Sequence, residues 1–318
     1  MIGYNTQFKK GHTNMKTIIT VAFSILASSV LALTETVDGI TWEYRVVQGG
    51  AIVGYNNHDA TSQTYTPAVS VDTSGSIEIP QRLGRCPVVG IGRMAFHDCR
   101  NLTSVLIPNT VTNIGGSAFS WCLKLSHMTI PGSVKNIGDC AFGNCTNLED
   151  VEFNEGLETL GRDLFYQCKG QGFGKITDEF MLPSTVQQFY QDTFPSAMGG
   201  TWRQKIFFAG DRPRIVETSD YALLNGTTFY YVEGNASWES SSGYMYGATK
   251  KPGAVVVQLF DNNSQATCRH VFDGGELAMR CRNSDATIYY TLDGTEPSEQ
   301  SLKYSAPISA GKYVVKAI

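Results

Sequence analysis

Charge is scarce in this chain of 318 residues: 17% are Asp, Glu, Lys or Arg, and 25 basic against 29 acidic side chains leave a net charge of −4. So balanced a surface has no polyanion-binding field, which excludes nucleic acid as the expected partner. Catalytic signatures are missing too. There is no Walker loop, GxSxG elbow or HExxH helix. None of the five histidines, His12, His58, His97, His127 and His270, stands in a nucleophile or metal motif. Eight cysteines are present, but without a CxxC pair to supply the close ligands that zinc sites commonly use. We therefore expect no cofactor, no metal and no catalytic residue. Gly and Pro, at 32 and 11, are too few for a low-complexity polymer. The 42% of hydrophobic residues can build cores, and the length suits about two domains.

Only one long apolar run occurs. Between Lys16 and Glu35 there is no charge, and Ile18, Ile19, Val21, Ala22, Phe23, Ile25, Leu26 and Ala27 form a signal-peptide core. Val30, Leu31 and Ala32 suit a cleavage site, placing the mature start near Leu33. Residues 15–32 are thus the expected signal peptide, Met15 the candidate initiator, and residues 1–14 a non-native extension. Thr20, Ser24, Ser28 and Ser29 weaken a span already short for a membrane helix. The mature chain is expected to be secreted or displayed at the cell surface, with no stable membrane span.

The middle of the chain is periodic. Phe96, Phe119, Phe142 and Phe165 are evenly spaced, and the same interval separates Cys99, Cys122, Cys145 and Cys168, and again Gly92, Gly115, Gly138 and Gly161. Three residue types recurring in one phase mark a solenoid whose rungs bury their apolar sides on one another. Within a copy, Leu102, Val105 and Ile107 alternate like a strand with one buried face, and Pro108 ends it. The half from Ile114 to Cys122 has helix-like or turn-like spacing, with Gly115 letting the chain bend, and is expected on the convex side. A degenerate fifth copy uses Met181, Leu182 and Pro183 for the strand end and Val186, Phe189 and Phe194 for the apolar positions.

The motif IGxxAFxxCxxLxxVxIP resembles the BspA-like leucine-rich repeats of bacterial surface proteins. That resemblance implies parallel strands on a concave face, with short helices or turns on the convex one. Departures are Leu164 for the repeat alanine and Asn154 for proline. Residues 76–200 are assigned to the array, with Ser76 to Pro80 as a first strand, and residues 33–75 to its N-terminal cap. Residues 201–252, with Lys205 to Pro213 and Thr228 to Trp238, resemble the transition segment that ends such arrays. Their aromatic strands are expected to close its open end, because an uncovered last rung exposes its core and backbone edge.

Positions that recur between rungs are framework, and those that vary on the strand are free for recognition. One outward column reads Ser76, Ser104, His127, Asp150 and Glu179; the second reads Glu78, Leu106, Thr129, Glu152 and Met181. Ser104, Leu106, His127, Thr129, Asp150, Glu152, Glu179 and Met181 are the candidate ligand face, acidic at Asp150 and Glu152, for an extracellular protein or peptide. The four ladder cysteines are read as inward-pointing apolar filler. Cys86, Cys140, Cys268 and Cys281 lie outside the ladder, and the sequence does not specify a Cys268 to Cys281 bond.

From about Gly253 short strand candidates dominate: Val255 to Phe260, Glu276 to Cys281, Thr287 to Leu292 and Lys312 to Ile318. The run Ile288 to Pro297, with Tyr304, Pro307 and Val315 to Ala317, resembles the GH29D-like, or chitobiase C-terminal-like, family. It implies a small immunoglobulin-like antiparallel β-sandwich over 253–318, an accessory module without catalytic residues. Either the sandwich ends at Ile318 or a further module follows. The expected function is protein binding or adhesion. The alternatives are a carbohydrate-binding or hydrolase-accessory role, with a glycan as partner, and a structural envelope component.

Overall fold

A computed structural model describes residues 32–56, 65–168, 176, 179–194, 205–216, 227–231, 235–239, 249–252, 257–259, 268–273, 276–281, 287, 289–291, 298–305, 308–309 and 315–317. Residues 1–14 and all of the expected signal peptide except Ala32 lie outside these. Strands and turns make up nearly everything described; the one helix among these residues is Ala236–Glu239.

The rungs follow from the alternation in the sequence. Strands Asn101–Leu106, His127–Ile130, Asp150–Phe153 and Glu179–Leu182 each occupy the same place in successive rungs. Leu102, Val105, Met128, Ile130, Val151 and Phe153 point into the core. Pairing is parallel, Ser76 opposite Ser104 and His127 opposite Asp150. The rest of each rung is turn, joined by a second column of very short parallel strands: Asn113–Ile114, Asn136–Ile137, Thr159–Leu160, Gln188–Tyr190 and Arg214–Val216. Ile114 lies opposite Ile137 and Ile137 opposite Leu160. The half of the motif with helix-like or turn-like spacing is therefore turn. A helix about 10 Å wide does not fit a rung stacked at about 4.8 Å.

The repeating glycines serve this close stacking. A Cβ on Gly115 would lie 2.5 Å from the Arg93 nitrogen, and one on Gly138 2.5 Å from the Gly116 nitrogen. Neither has the left-handed backbone expected of a bend. That conformation falls on two other columns: Met94, Ser117, Cys140 and Asp163 with φ of 59°, 54°, 54° and 48°, and Asp98, Trp121, Asn144 and Gln167 with φ of 65°, 65°, 61° and 58°.

Inside, the phenylalanines form one row. Ring centroids of Phe96 and Phe119 are 5.1 Å apart, Phe119 and Phe142 5.7 Å, and Phe142 and Phe165 5.8 Å, with interplanar angles of 1°, 6° and 16°. Phe180 extends the stack beyond Phe165 at 5.1 Å. The ladder cysteines are buried and free. Each thiol from the second onwards donates to a carbonyl of the rung before: Cys122 to Phe96 (3.2 Å), Cys145 to Phe119 (3.0 Å) and Cys168 to Phe142 (2.8 Å). They fill the core and also tie rung to rung.

Both ends of the row are covered. Leu33–Val37, Ile40–Val47 and Gly50–Val53 make an antiparallel meander whose last strand pairs parallel with Cys86–Ile91. Trp42 sets its edge against Phe96 at 6.2 Å and 79°. At the other end the sequence period is lost but parallel pairing continues. Lys205–Phe208 pairs with Glu179–Leu182, Thr228–Tyr231 with Lys205–Phe208, and Thr249–Pro252 with Thr228–Tyr231. Trp238 packs against Phe208 at 4.7 Å and Tyr231 at 5.4 Å.

Two small sheets follow. Tyr289–Thr291 runs antiparallel to Leu302–Lys303 and to Val315–Ala317, and the latter pairs parallel with Val257–Leu259. Cys268–Asp273 and Glu276–Cys281 form a hairpin extended by Ile308–Ser309.

Candidate functional site

The outward columns read from the sequence are columns in space. Register places Ser76 beside Ser104 and Glu78 beside Leu106. It places His127 beside Asp150, Thr129 beside Glu152, Glu179 beside Lys205 and Met181 beside Phe207. Ser104 and Leu106 are exposed, and His127, Thr129, Asp150, Glu152 and Met181 half-buried. The Glu179 backbone is described and its side chain is not. Apolar neighbours hold these side chains outward: Met128 and Ile130, Val151 and Phe153, and Val105 and Ile107 beside Ser104 and Leu106 are committed to the core.

The expected acidic patch is internally paired. Nδ1 of His127 bonds Oδ1 of Asp150, and its Nε2 lies 3.8 Å from the Glu149 carboxylate. The Asp150 side chain is only 16% exposed, that of His127 35%. The Thr129 hydroxyl donates to Glu152 at 3.4 Å. Elsewhere on the flank Lys135 pairs with Glu158 at 3.3 Å, and Glu155 accepts from the Ser184 amide at 2.9 Å and its hydroxyl at 2.8 Å. Most of the carboxylates of this region thus bridge rungs. His97, in the turn motif beside Cys99, is half-buried, and burial pushes its pKa below the ordinary value. Among the described residues no three His, Cys, Asp or Glu are grouped to hold a metal ion.

The strand face extends beyond the residues found from sequence. Lys205 and Thr228 continue the first column, Phe207 and Tyr230 the second, with Phe207 and Tyr230 stacked at 4.8 Å. They escape the repeat because the step from Glu179 to Lys205 is longer than the step from Lys205 to Thr228, which breaks the even spacing. Phe207 is buried, whereas Lys205, Thr228 and Tyr230 are half-buried like His127, Thr129, Asp150 and Glu152.

A stack of parallel-stranded coils with an outward, variable strand face is a leucine-rich-repeat solenoid. Residues 74–198 match the BspA type leucine rich repeat region in six copies, and residues 266–318 match the chitobiase/beta-hexosaminidase C-terminal domain. No curated protein matches the chain. Among solved structures, a leucine rich repeat protein of T. pallidum is 18% identical, covering 65% of this chain and 96% of its own, with a TM-score of 0.39. A leucine rich cell surface protein of Faecalibacterium prausnitzii A2-165 is 23% identical, covering 64% of this chain and 55% of its own, at a TM-score of 0.38. A leucine-rich repeat protein of Bacteroides ovatus is 19% identical, covering 71% and 82%, at 0.31. No helix among the described residues is long and apolar enough to cross a membrane.

Proposed function

We propose that the chain is an exported, non-enzymatic protein of the cell surface that binds an extracellular protein or peptide through the open strand face of its repeats. One observation carries this reading. Side chains that differ in chemical character from rung to rung, Ser104, His127, Asp150, Leu106, Thr129 and Glu152, lie in adjacent columns and are held outward by core positions that stay apolar and buried in every rung. A framework that repeats beneath a surface that does not is the arrangement by which a solenoid offers many weak contacts at once. The BspA type of the repeats and the uncharged apolar stretch at residues 17–34 support export and display. Under this reading residues 33–75 cap the array, residues 201–252 close it, and residues 253–318 are a spacer module.

The test is a binding screen of the chain from Leu33 against purified extracellular proteins. It compares the native face with one in which Ser104, Leu106, His127, Thr129, Asp150 and Glu152 become Ala or Ser. Loss of a partner in the altered chain supports the proposal. A partner retained unchanged, or none found, counts against it. The match of residues 266–318 to the chitobiase/beta-hexosaminidase C-terminal domain favours a second reading, an accessory role in glycan handling. Glycan binding that survives every change on the repeats and is lost with residues 266–318 would support it.

A further inference from the structure

Charge is unevenly placed along the repeats. Residues 74–135 hold six basic and two acidic side chains, a net charge of +4, and residues 136–168 hold one basic and seven acidic, a net charge of −6. The rungs are stacked in chain order, so the change of sign falls along the solenoid axis. One side shows it most simply, the side built by the turns that lead from the second strand column to the next outward strand. There the first two turns, residues 92–100 and 115–126, carry Arg93, Asp98, Arg100 and Lys124, a net charge of +2. The next two, residues 138–149 and 161–168, carry Asp139, Glu149, Arg162 and Asp163, a net charge of −2. Arg93, Arg100, Lys124, Asp139 and Glu149 are exposed.

Stacking does not call for this order. Where the rungs use charge to hold one another, opposite signs face across one step, as Lys135 faces Glu158 at 3.3 Å and Arg162 faces Asp192 at 3.2 Å. On the turn side like signs stand in successive rungs instead, Arg100 before Lys124 and Asp139 before Asp163, and charges so placed repel. The basic groups are also held in place: Asp98 anchors Arg100 at 2.6 Å, and the Asn101 carbonyl oxygen accepts from Lys124 at 2.8 Å. A fixed charge pattern that works against the fold points to a partner of the opposite pattern.

We propose that this turn side is an interface between two copies of the chain, packed face to face with their solenoid axes antiparallel. A partner must offer acidic rungs where this chain is basic and basic rungs where it is acidic. The chain turned end for end does so, and a net charge of +2 meets −2 twice. A two-fold axis crossing the solenoid between the second and third turns reverses the order of the rungs and keeps each margin of the turn side on its own side. Lys124 and Glu149 both lie in the last few residues before an outward strand. Lys124 of either copy therefore faces Glu149 of the other. Arg93 comes against the fourth turn, which Asp163 makes acidic while Asp192 holds Arg162. The exposed Trp121 and Tyr166 lie in the same turns and give the interface apolar area. The strand face stays outside the contact, so the pairing does not depend on what that face binds.

The experiment measures the mass of the chain from Leu33 by sedimentation at about 20 mM and about 500 mM salt, where charge acts over roughly 20 Å and roughly 4 Å. A dimer is expected at the lower salt and a monomer at the higher. Lys124→Glu and Glu149→Lys each set like charges against one another at both contacts, and each is expected to raise the dimer dissociation constant about a hundredfold. Both residues are exposed, so the melting temperature should stay near that of the parent. Mixing the two variants restores opposite charges at both contacts, and the mixture is expected to dimerise at a concentration where neither variant does so alone. A chain monomeric at both salts overturns the proposal, as does a dimer unaffected by salt or by either variant. A mixture that stays monomeric overturns it too, because Lys124 and Glu149 then do not face each other.

Discussion

Phe142→Ala removes the centre of the aromatic row. Phe142 is fully buried, with Phe119 on one side at 5.7 Å and Phe165 on the other at 5.8 Å, both nearly parallel to it. Truncating a buried Phe to Ala costs about 3–5 kcal/mol when surroundings relax only partly. Relaxation is restricted here because Gly115, Gly138 and Gly161 already bring the backbones of neighbouring rungs into contact. Two stacked pairs, each worth about 0.5–1.5 kcal/mol beyond burial, are lost as well, so the upper half of that range is expected. Against a native stability of about 5–15 kcal/mol, this removes a large share. In a nearest-neighbour array a weak central rung also uncouples the ends. Urea unfolding followed by circular dichroism and by tryptophan fluorescence reads both effects, since Trp42 and Trp238 are buried at opposite ends. The variant should unfold at lower urea, with the two probes no longer coincident. A loss below about 1 kcal/mol with unchanged cooperativity would refute the stacked row.

Ser117 sits in the left-handed region with φ 54°. Ser117→Gly should therefore stabilise by about 0.5–1 kcal/mol, and the β-branched Ser117→Val should destabilise by about 1–2 kcal/mol, in thermal melts. Burial raises the Cys99 and Cys168 thiols from an ordinary 9.0 to about 12 and pushes Cys122 and Cys145 up as well. The folded chain then holds protons that the unfolded chain releases. Stability should be unaffected below pH 9 and fall as pH rises from 9 toward 12, and the four thiols should resist alkylation at pH 8 until the chain is unfolded. In the C-terminal hairpin, register sets Cys268 directly opposite Cys281, close enough for a cross-strand disulfide. Protein purified under oxidising conditions should show six titratable thiols in denaturant without reductant and eight with it, and eight in both would rule the bond out.

What could be read from the sequence followed from the one-phase recurrence of Phe, Cys and Gly. Phe96, Phe119 and Phe142 occupy identical places in successive coils, so their alignment, the inward cysteines and the outward columns all follow from a single spacing. The pairing of His127 with Asp150 is implicit in it as well, since positions one repeat apart become lateral neighbours. Other features leave no such trace. Strands as short as Asn113–Ile114 give alternation no room to show. The left-handed positions hold Met, Ser, Cys and Asp in one column, so no residue type announces them. The rungs of Lys205 and Thr228 are hidden because the step into Lys205 is longer than the repeat interval and their strands do not keep the repeat's residue types, while the strands go on stacking.

The central claim is that the chain is a pile of interchangeable coils whose unit runs from one ladder cysteine to the next. Deleting Leu123 to Cys145 removes one such unit and joins Cys122 to Thr146 as Cys145 is joined now, whereas deleting only Leu123 to Gly143 stops short of a whole unit and slips the phase. Differential scanning calorimetry on both should show a cooperative transition near that of the parent for the first deletion and none for the second. Equal behaviour of the two deletions, whether both fold or both fail, would contradict the account.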